Sequence, residues 1–117
     1  MYICVMNLEN MKAQMRKGVL ELCILSILSN QEAYPSDIIE KLKQGELIVV
    51  EGTLYPLLSR LKNAGLLSYN WRESPSGPPR KYFQITETGR NFLLDLNQTW
   101  GDLVSSVTIT TQNSKTS

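Results

Sequence analysis

The feature that most constrains the fold is the stretch Glu51–Tyr82, in which the spacing of apolar residues changes from a helical to a strand-like pattern. Gly65 marks the change, because glycine is a frequent helix stop. Short polar and hydrogen-bonding side chains occupy the outer side of the helix before it. Its inner side carries four leucines spaced i, i+3, i+4 and i+7, which are Leu54, Leu57, Leu58 and Leu61.

Two β-rich runs with aromatic residues follow this helix, Leu66–Trp71 and Arg80–Ile85. The Ser/Pro/Gly turn Ser74–Pro79 separates them and predicts the tip of a hairpin. A helix with a polar outer face, followed directly by a hairpin with basic residues at its base, is typical of a winged helix-turn-helix. This layout predicts binding to double-stranded DNA.

We call the helix before Gly65 the reading helix. The position of Pro56 indicates where this helix begins, because proline is costly deep inside a helix. The helix therefore starts only a few residues earlier, which places Thr53, Tyr55 and Pro56 in the first turns. This end of the helix enters the major groove in helix-turn-helix proteins. Gly52 lowers the bulk where backbone approaches a phosphate. We interpret Tyr55 as a DNA contact, with half-buried packing as the alternative.

A shorter helix is predicted to begin at Pro35 and to end at Gly45. It corresponds to the positioning helix of a helix-turn-helix. Tyr34 and Ser36 lie near its start, where a hydroxyl or a backbone amide can meet a phosphate. A plain helix cap is the alternative role for Ser36.

Apolar stripes that need a covering surface are predicted on helices at both ends of the chain. The first spans residues 8 to 29, and its upstream half forms an apolar stripe of Met11, Met15, Val19 and Leu22. The last begins near Thr86 and continues to 107 with near-heptad spacing of Phe92, Leu96, Trp100, Leu103 and Val107. A second copy of the chain is the simplest surface that would bury both stripes. The polar residues 108–117 are expected to be a disordered tail.

Composition restricts the class of protein. A chain of 117 residues that is 42% hydrophobic and 20% charged is typical of one soluble globular domain. No apolar run approaches the length that a membrane span needs. The leading segment Met1–Met6 lacks a basic region and is not a convincing signal peptide, and Met6 or Met11 is an alternative start. We expect a cytoplasmic protein.

The residue types argue against an enzyme or a metal protein. The chain has no histidine, and Cys4 and Cys23 have no metal-ligand spacing. Cys23 lies in an apolar helical run, where a thiol behaves as a small hydrophobe. Neither a glycine-rich phosphate loop nor a pair of carboxylates with catalytic spacing is evident. We therefore expect no metal, no cofactor and no catalysis.

The distribution of charge is more informative than the net charge of +1. Residues 52–81 carry five basic residues against one acidic residue, whereas residues 21–51 carry two against six. Within the basic region, Arg60 and Lys62 are interpreted as phosphate contacts. Arg80 and Lys81 begin the returning strand, and at least one should reach the backbone or the minor groove. A merely solvated face is the alternative explanation for such charge.

Three motifs carry a resemblance to a known family: Thr53-Leu54-Tyr55, Arg80-Lys81-Tyr82 and the step from Ile85 to Gly89. With them, residues 8 to 107 resemble the PadR family of bacterial transcriptional regulators. The short C-terminal part resembles the compact branch of that family, to which the multidrug-binding regulator LmrR belongs. One departure is that Pro78 and Pro79 precede the basic pair, where the family commonly has glycines.

The resemblance implies a two-fold dimer and, from the compact branch, a site for a planar hydrophobic molecule between two copies of Trp100. Filling of the dimer interface is the alternative role for this indole. Leu96 and Met15 are the other candidate effector-binding residues. The candidate dimer interface is larger and consists of Met11, Met15, Phe92, Leu96, Trp100, Leu103 and Val107.

These observations predict a mainly α, α+β fold: a winged helix-turn-helix domain in residues 1–85, with residues 1–7 flexible, and a dimerisation helix in residues 86–107. The expected function is that of a homodimeric repressor that binds a pseudo-palindromic operator and is released by a planar hydrophobic effector. A winged-helix module that binds protein and not DNA is the alternative. The candidate DNA-binding residues are Tyr34, Ser36, Gly52, Thr53, Tyr55, Pro56, Ser59, Arg60, Lys62, Arg80 and Lys81.

Overall fold

The computed structural model describes residues 7–116, with side chains described to residue 112, and this range contains five α-helices and one β-hairpin. Residues 1–6 and 117 lie outside the described part, together with Cys4 and most of the segment expected to be flexible. The elements in chain order are α1 (Leu8–Lys17), α2 (Leu20–Asn30), α3 (Pro35–Gln44), α4 (Glu51–Asn63), β1 (Leu67–Ser74), β2 (Gly77–Ile85) and α5 (Glu87–Thr116). The predicted winged-helix fold class is confirmed.

The core lies where α2, α3, α4 and the base of the hairpin meet. Four of its side chains have no accessible surface, and they come from three different helices: Ile24, Leu25, Ile38 and Leu54. Full burial of one such side chain contributes about 1.5–3 kcal/mol. The leucine stripe expected on the reading helix is part of this core, since Leu54, Leu58 and Leu61 are buried.

The N-terminal helix is interrupted, although the sequence predicted one helix over residues 8 to 29. Gly18 and Val19 separate α1 from α2, and the Val19 amide donates to the Arg16 carbonyl at 3.0 Å. Glycine is a weak helix former because it loses more backbone entropy than other residues. The tightened turn ends α1 in solvent, and none of its residues is buried.

Both helices of the helix-turn-helix end in the same backbone motif. After α4, Gly65 has a φ of +82°, its amide donates to the Lys62 carbonyl, and the Leu66 amide donates to the Leu61 carbonyl, both at 3.0 Å. This is a Schellman motif, in which glycine avoids a steric penalty. After α3 the left-handed residue is Glu46, with a φ of +64°, and not the preceding glycine.

The hairpin is longer than predicted, and its turn is shorter. Ser74 pairs with Gly77, so only residues 75 and 76 form the turn, and the pairing register shifts between Arg72 and Ser74. On the other edge of β2, Phe83 exchanges two backbone hydrogen bonds with Ala33. This bridge attaches the wing to the segment that leads into α3.

The last helix continues to Thr116 and does not end at 107. Residues 108–117 were expected to be disordered, whereas residues 108–116 are helical. Residues 102–116 contain neither glycine nor proline, the two residue types that most disfavour a helix. The polarity on which the expectation depended does not by itself end a helix. None of the helices in the described range is long and apolar enough to cross a bilayer.

Candidate nucleic-acid interface

The outer face of α4 is built by the same periodicity that buries its leucines. Gly52, Tyr55, Pro56 and Ser59 recur at i, i+3, i+4 and i+7, and all four are exposed. Thr53 is exposed beside them. The helix opens at Glu51, so these residues occupy its first nine positions. A phenol, two hydroxyls and a glycine therefore line one accessible surface.

A groove of about 340 Å³ separates this surface from the wing. It brings four sequence candidates together from three elements: Ser36 of α3, Tyr55 of α4, and Arg80 and Lys81 of β2. The complete lining consists of Pro35, Ser36, Glu51, Tyr55, Trp71, Pro79, Arg80 and Lys81. The predicted reading helix and basic pair thus border one concave surface.

Arg80 connects the wing to the start of α3. Its Nη2 donates a hydrogen bond to Ser36 Oγ at 2.8 Å, and its guanidinium carbon lies 4.2 Å from the ring centroid of Tyr34. Asp37 Oδ2 accepts from the Tyr34 amide at 3.0 Å, so the helix start is stabilised by Asp37 while the Ser36 hydroxyl faces the wing. This arrangement holds a cation beside the N-terminus of the positioning helix.

The same face of the wing carries a ladder of stacked side chains. Tyr34 and Tyr82 contact edge to face, with centroids 4.9 Å apart, and the Arg72 guanidinium lies 3.9 Å from the Tyr82 ring. Arg72 also pairs with Glu32 at 3.6 Å. Each cation–π contact contributes about 0.5–1 kcal/mol at exposed sites. The ladder orients the wing relative to α3.

Lys81 points to the opposite face, which borders α4. Its Nζ lies 4.5 Å from the Tyr69 ring and 5.6 Å from the Trp71 ring. Trp71 pairs with Lys81 across the hairpin and remains 61% exposed. A large aromatic surface and an ammonium group therefore lie side by side in the groove wall.

Arg60 and Lys62 are not part of the groove lining. Arg60 Nε lies 3.3 Å from Glu21 Oε2 on α2, although the Arg60 side chain is 76% exposed. Lys62 Nζ lies 5.8 Å from the Tyr69 ring centroid at the C-terminal end of α4. The structure therefore separates these two cations from the Arg80–Lys81 pair.

The candidate dimer and effector residues lie on a different part of the molecule. Met15, Trp100, Leu103 and Val107 line an open apolar hollow of about 510 Å³ between α1 and α5. Leu96 is half-buried and lies with Phe92 along a separate hollow of about 300 Å³. Met11 is exposed on α1. Of the three effector candidates, Trp100 and Met15 share a surface and Leu96 does not.

Cys23 is half-buried on α2, and burial raises the pKa of its thiol. The thiol therefore stays protonated at neutral pH and lacks the thiolate character of a reactive cysteine. Among residues 7–116, no cluster of three or more potential ligand residues is placed to hold a metal ion.

Sequence reasoning missed four residues of the groove lining, of which Glu51 and Trp71 carry the most chemistry. The signal for Glu51 was its spacing of four residues before Tyr55, which places both on one helix face. Trp71 required the hairpin register, because only its pairing with Lys81 shows that it borders the groove.

Known proteins similar to this chain belong to a family of transcriptional regulators, and the similarity covers most of the chain. A model of the transcriptional regulator PadR-like family matches residues 24–95, which include α3, α4 and the hairpin. A PadR-like transcription factor from Bacteroides fragilis is 59% identical, with 84% of this chain and 95% of that chain covered and a TM-score of 0.72.

Two further structures of similar proteins come from other bacteria. A PadR-like transcriptional regulator from Bacillus cereus is 42% identical, with coverage of 80% and 92% and a TM-score of 0.70. A PadR family transcriptional regulator from Eggerthella lenta is 32% identical, with coverage of 85% and 87% and a TM-score of 0.78. The chain therefore belongs to the PadR-like family of transcriptional regulators.

Proposed function

We propose that this protein is a homodimeric repressor that binds a specific pseudo-palindromic site in double-stranded DNA. The observation that carries the proposal is the groove in which Tyr55 of the exposed α4 face meets Ser36, Arg80 and Lys81. Hydroxyl, phenol and cationic groups on one concave surface match the donors that protein–DNA interfaces use toward phosphates and base edges.

The proposed division of labour follows from the position of each group. The N-terminal turns of α4 enter the major groove and read bases, while Arg80, Lys81 and the start of α3 contact the phosphate backbone. In a two-fold dimer the two α4 helices reach successive major grooves, so the half-sites lie about 34 Å apart. A repressor of this kind acts on the bacterial chromosome, and the cytoplasm is therefore its proposed location.

Fluorescence anisotropy with duplexes from the region upstream of the gene tests this proposal. We expect a saturable complex with one duplex, stoichiometry of two chains per site, and an affinity that falls steeply with salt because lysine and arginine displace condensed counterions. A scrambled duplex should bind more weakly at the same salt. Equal affinity for both duplexes, or no complex at low salt, would refute the proposal. Retention of a protein partner without DNA would favour an interaction module.

Repression and the dimer have separate tests. A reporter gene controlled by the selected duplex should increase its expression when the chromosomal copy of this protein is deleted. Sedimentation should give twice the mass of the chain. Increased expression only when the protein is present would identify an activator, which would overturn the repressor assignment and leave DNA binding intact.

The proposed effector is a planar hydrophobic molecule that binds beside Trp100. The supporting observation is the open apolar hollow in which Trp100 lies with Met15 and Val107. An aromatic guest would stack on the indole and be buried by the second subunit. In a Trp71→Phe variant, Trp100 is the single tryptophan, and we expect a planar aromatic dye to quench its fluorescence. In the wild-type protein the same dye should lower operator affinity. Unchanged fluorescence at saturating dye would contradict this role.

A further inference from the structure

We infer that Glu51 reads the exocyclic amino group of a cytosine or an adenine at one position of each half-site. The inference deepens the proposed DNA-binding function and depends on it. It assigns a specificity-determining role to a carboxylate that is negatively charged and would be expected to weaken binding to a polyanion.

The placement of Glu51 is the first observation. It is the first residue of α4, it is exposed, and it lines the groove with Tyr55 one helical turn further along. Positions one turn apart at the N-terminal end of a reading helix face the base edges together. The carboxylate therefore lies with the base-reading side chains and apart from the C-terminal cations of the helix.

The surroundings of Glu51 are the second observation. Arg80 and Lys81 line the same groove, yet the guanidinium contacts Ser36 and Tyr34 and the ammonium lies over Tyr69. Among residues 7–116, the ion pairs connect other acidic residues to cations, and none involves Glu51. The two groove cations thus have partners of their own, and Glu51 lines the groove without an ion pair among the described residues.

The chemistry of a carboxylate determines what it can recognise. An ionised carboxylate only accepts hydrogen bonds, and phosphate oxygens repel it. In the major groove the base donors are the N4 amino group of cytosine and the N6 amino group of adenine, whereas guanine and thymine present acceptors. Glu51 is therefore complementary to an amino-bearing base and rejects the other two.

A merely structural role for Glu51 has different consequences. An acidic residue in the first turn stabilises a helix through its interaction with the helix dipole. Loss of that interaction would lower thermal stability and leave the order of preferred sequences unchanged. Base preference and melting temperature therefore separate the two roles.

The test compares the base preferences of wild type, Glu51→Ala and Glu40→Ala in a selection from a randomised duplex library. Glu40 is exposed on α3 outside the groove, so its variant removes the same charge elsewhere. We expect a preference for cytosine or adenine at one position per half-site in wild type and in Glu40→Ala. Glu51→Ala should lose it by on the order of tenfold, because a methyl group cannot accept a hydrogen bond.

A duplex in which 2-pyrimidinone replaces the preferred cytosine, or purine the preferred adenine, lacks only the amino group. It should weaken wild type by on the order of tenfold and leave Glu51→Ala unaffected. An unchanged preference in Glu51→Ala, or equal sensitivity of both proteins to the analogue, overturns the inference while the proposed function stands. A wild-type protein that selects no sequence overturns the proposed function itself.

Discussion

Arg60 and Arg80 carry the same guanidinium group, but tertiary contacts place them in different surroundings. Arg60 faces Glu21 of α2, whereas Arg80 bonds to Ser36 at the groove between the wing and α4. Residue type and local charge therefore could not distinguish them. The neighbour from a distant part of the chain decides which of the two cations lies in the groove.

We expect Arg80→Ala to weaken binding to operator and random duplexes alike, on the order of tenfold, because it removes a cation beside the backbone. Arg60→Ala is the matched control and should have a smaller effect, since Glu21 already faces that charge. Tyr55→Ala should instead reduce the preference for the operator. Anisotropy titrations with both duplexes measure all three variants, and an equal loss from each would contradict this division.

Two residues with positive φ angles end the helices of the helix-turn-helix. Gly65 and Glu46 occupy equivalent left-handed positions after α4 and α3. We expect Glu46→Gly to raise the free energy of unfolding by about 0.5–1 kcal/mol, because the left-handed backbone strains a residue with a Cβ atom. Gly65→Ala should lower it by about 1–2 kcal/mol for the same reason. Chemical denaturation measures both, and the same sign for both variants would exclude this account.

The junction between α4 and α5 connects the helix-turn-helix to the last helix. Thr86 Oγ1 donates to the Gly65 carbonyl at 2.7 Å and accepts from the Gly89 amide at 2.9 Å. The Thr86 amide donates to the Leu66 carbonyl at 3.1 Å. One residue therefore stabilises the start of α5 and attaches it to the turn after α4.

The close approach at this junction requires glycine at position 89. A Cβ atom there would overlap the Leu66 carbonyl and lie 2.8 Å from Ile85 Cγ1. We expect Gly89→Ala to destabilise the protein by about 1–3 kcal/mol, the usual cost of overpacking. Chemical denaturation measures the change.

Gly101→Ala is the control in the same helix, because nothing within the described chain lies within 4 Å of its added methyl group. That change should be neutral or stabilise the helix by up to about 1 kcal/mol. Similar destabilisation by both substitutions would show that the contact with Leu66 does not explain the requirement.

For the whole molecule, the main feature is an apolar stripe that one chain leaves exposed. Trp100, Leu103, Val104 and Val107 are each about half exposed on α5. Exposed patches of this kind commonly mark interaction sites. The stripe continues the apolar hollow beside α1, so the proposed second subunit would cover surfaces of both terminal helices.

We expect Leu103→Glu to shift the sedimentation coefficient from dimer to monomer, because a carboxylate buried in an apolar interface is strongly unfavourable. Operator affinity should fall at least tenfold, since a monomer contacts one half-site at a time. Ser105→Glu adds the same charge on another side of α5 and should leave both measurements unchanged. A dimer that persists in the Leu103 variant would exclude this face as the interface.

The order of helices and hairpin was predictable from the sequence, because helical spacing of leucines, strand-like aromatic runs and the stops at Gly45 and Gly65 act within a few residues. The sequence also identified the outer face of α4, since burial of one side of a helix exposes the other. Local sequence patterns predicted the helix ends less well. The helix α5 continues beyond residue 107, and Gly18 interrupts the helix predicted over residues 8 to 29.

Which of these local surfaces meet in a groove depends on contacts between distant parts of the chain. The groove exists because the Ala33–Phe83 bridge and the Arg80–Ser36 hydrogen bond bring together segments that lie 50 and 44 residues apart in sequence. Tertiary contacts also pair Arg60 with Glu21 of α2. Within the described residues, no ion pair involves Glu51. Contacts between distant segments depend on how the whole core packs. The periodicity within one segment therefore does not predict them.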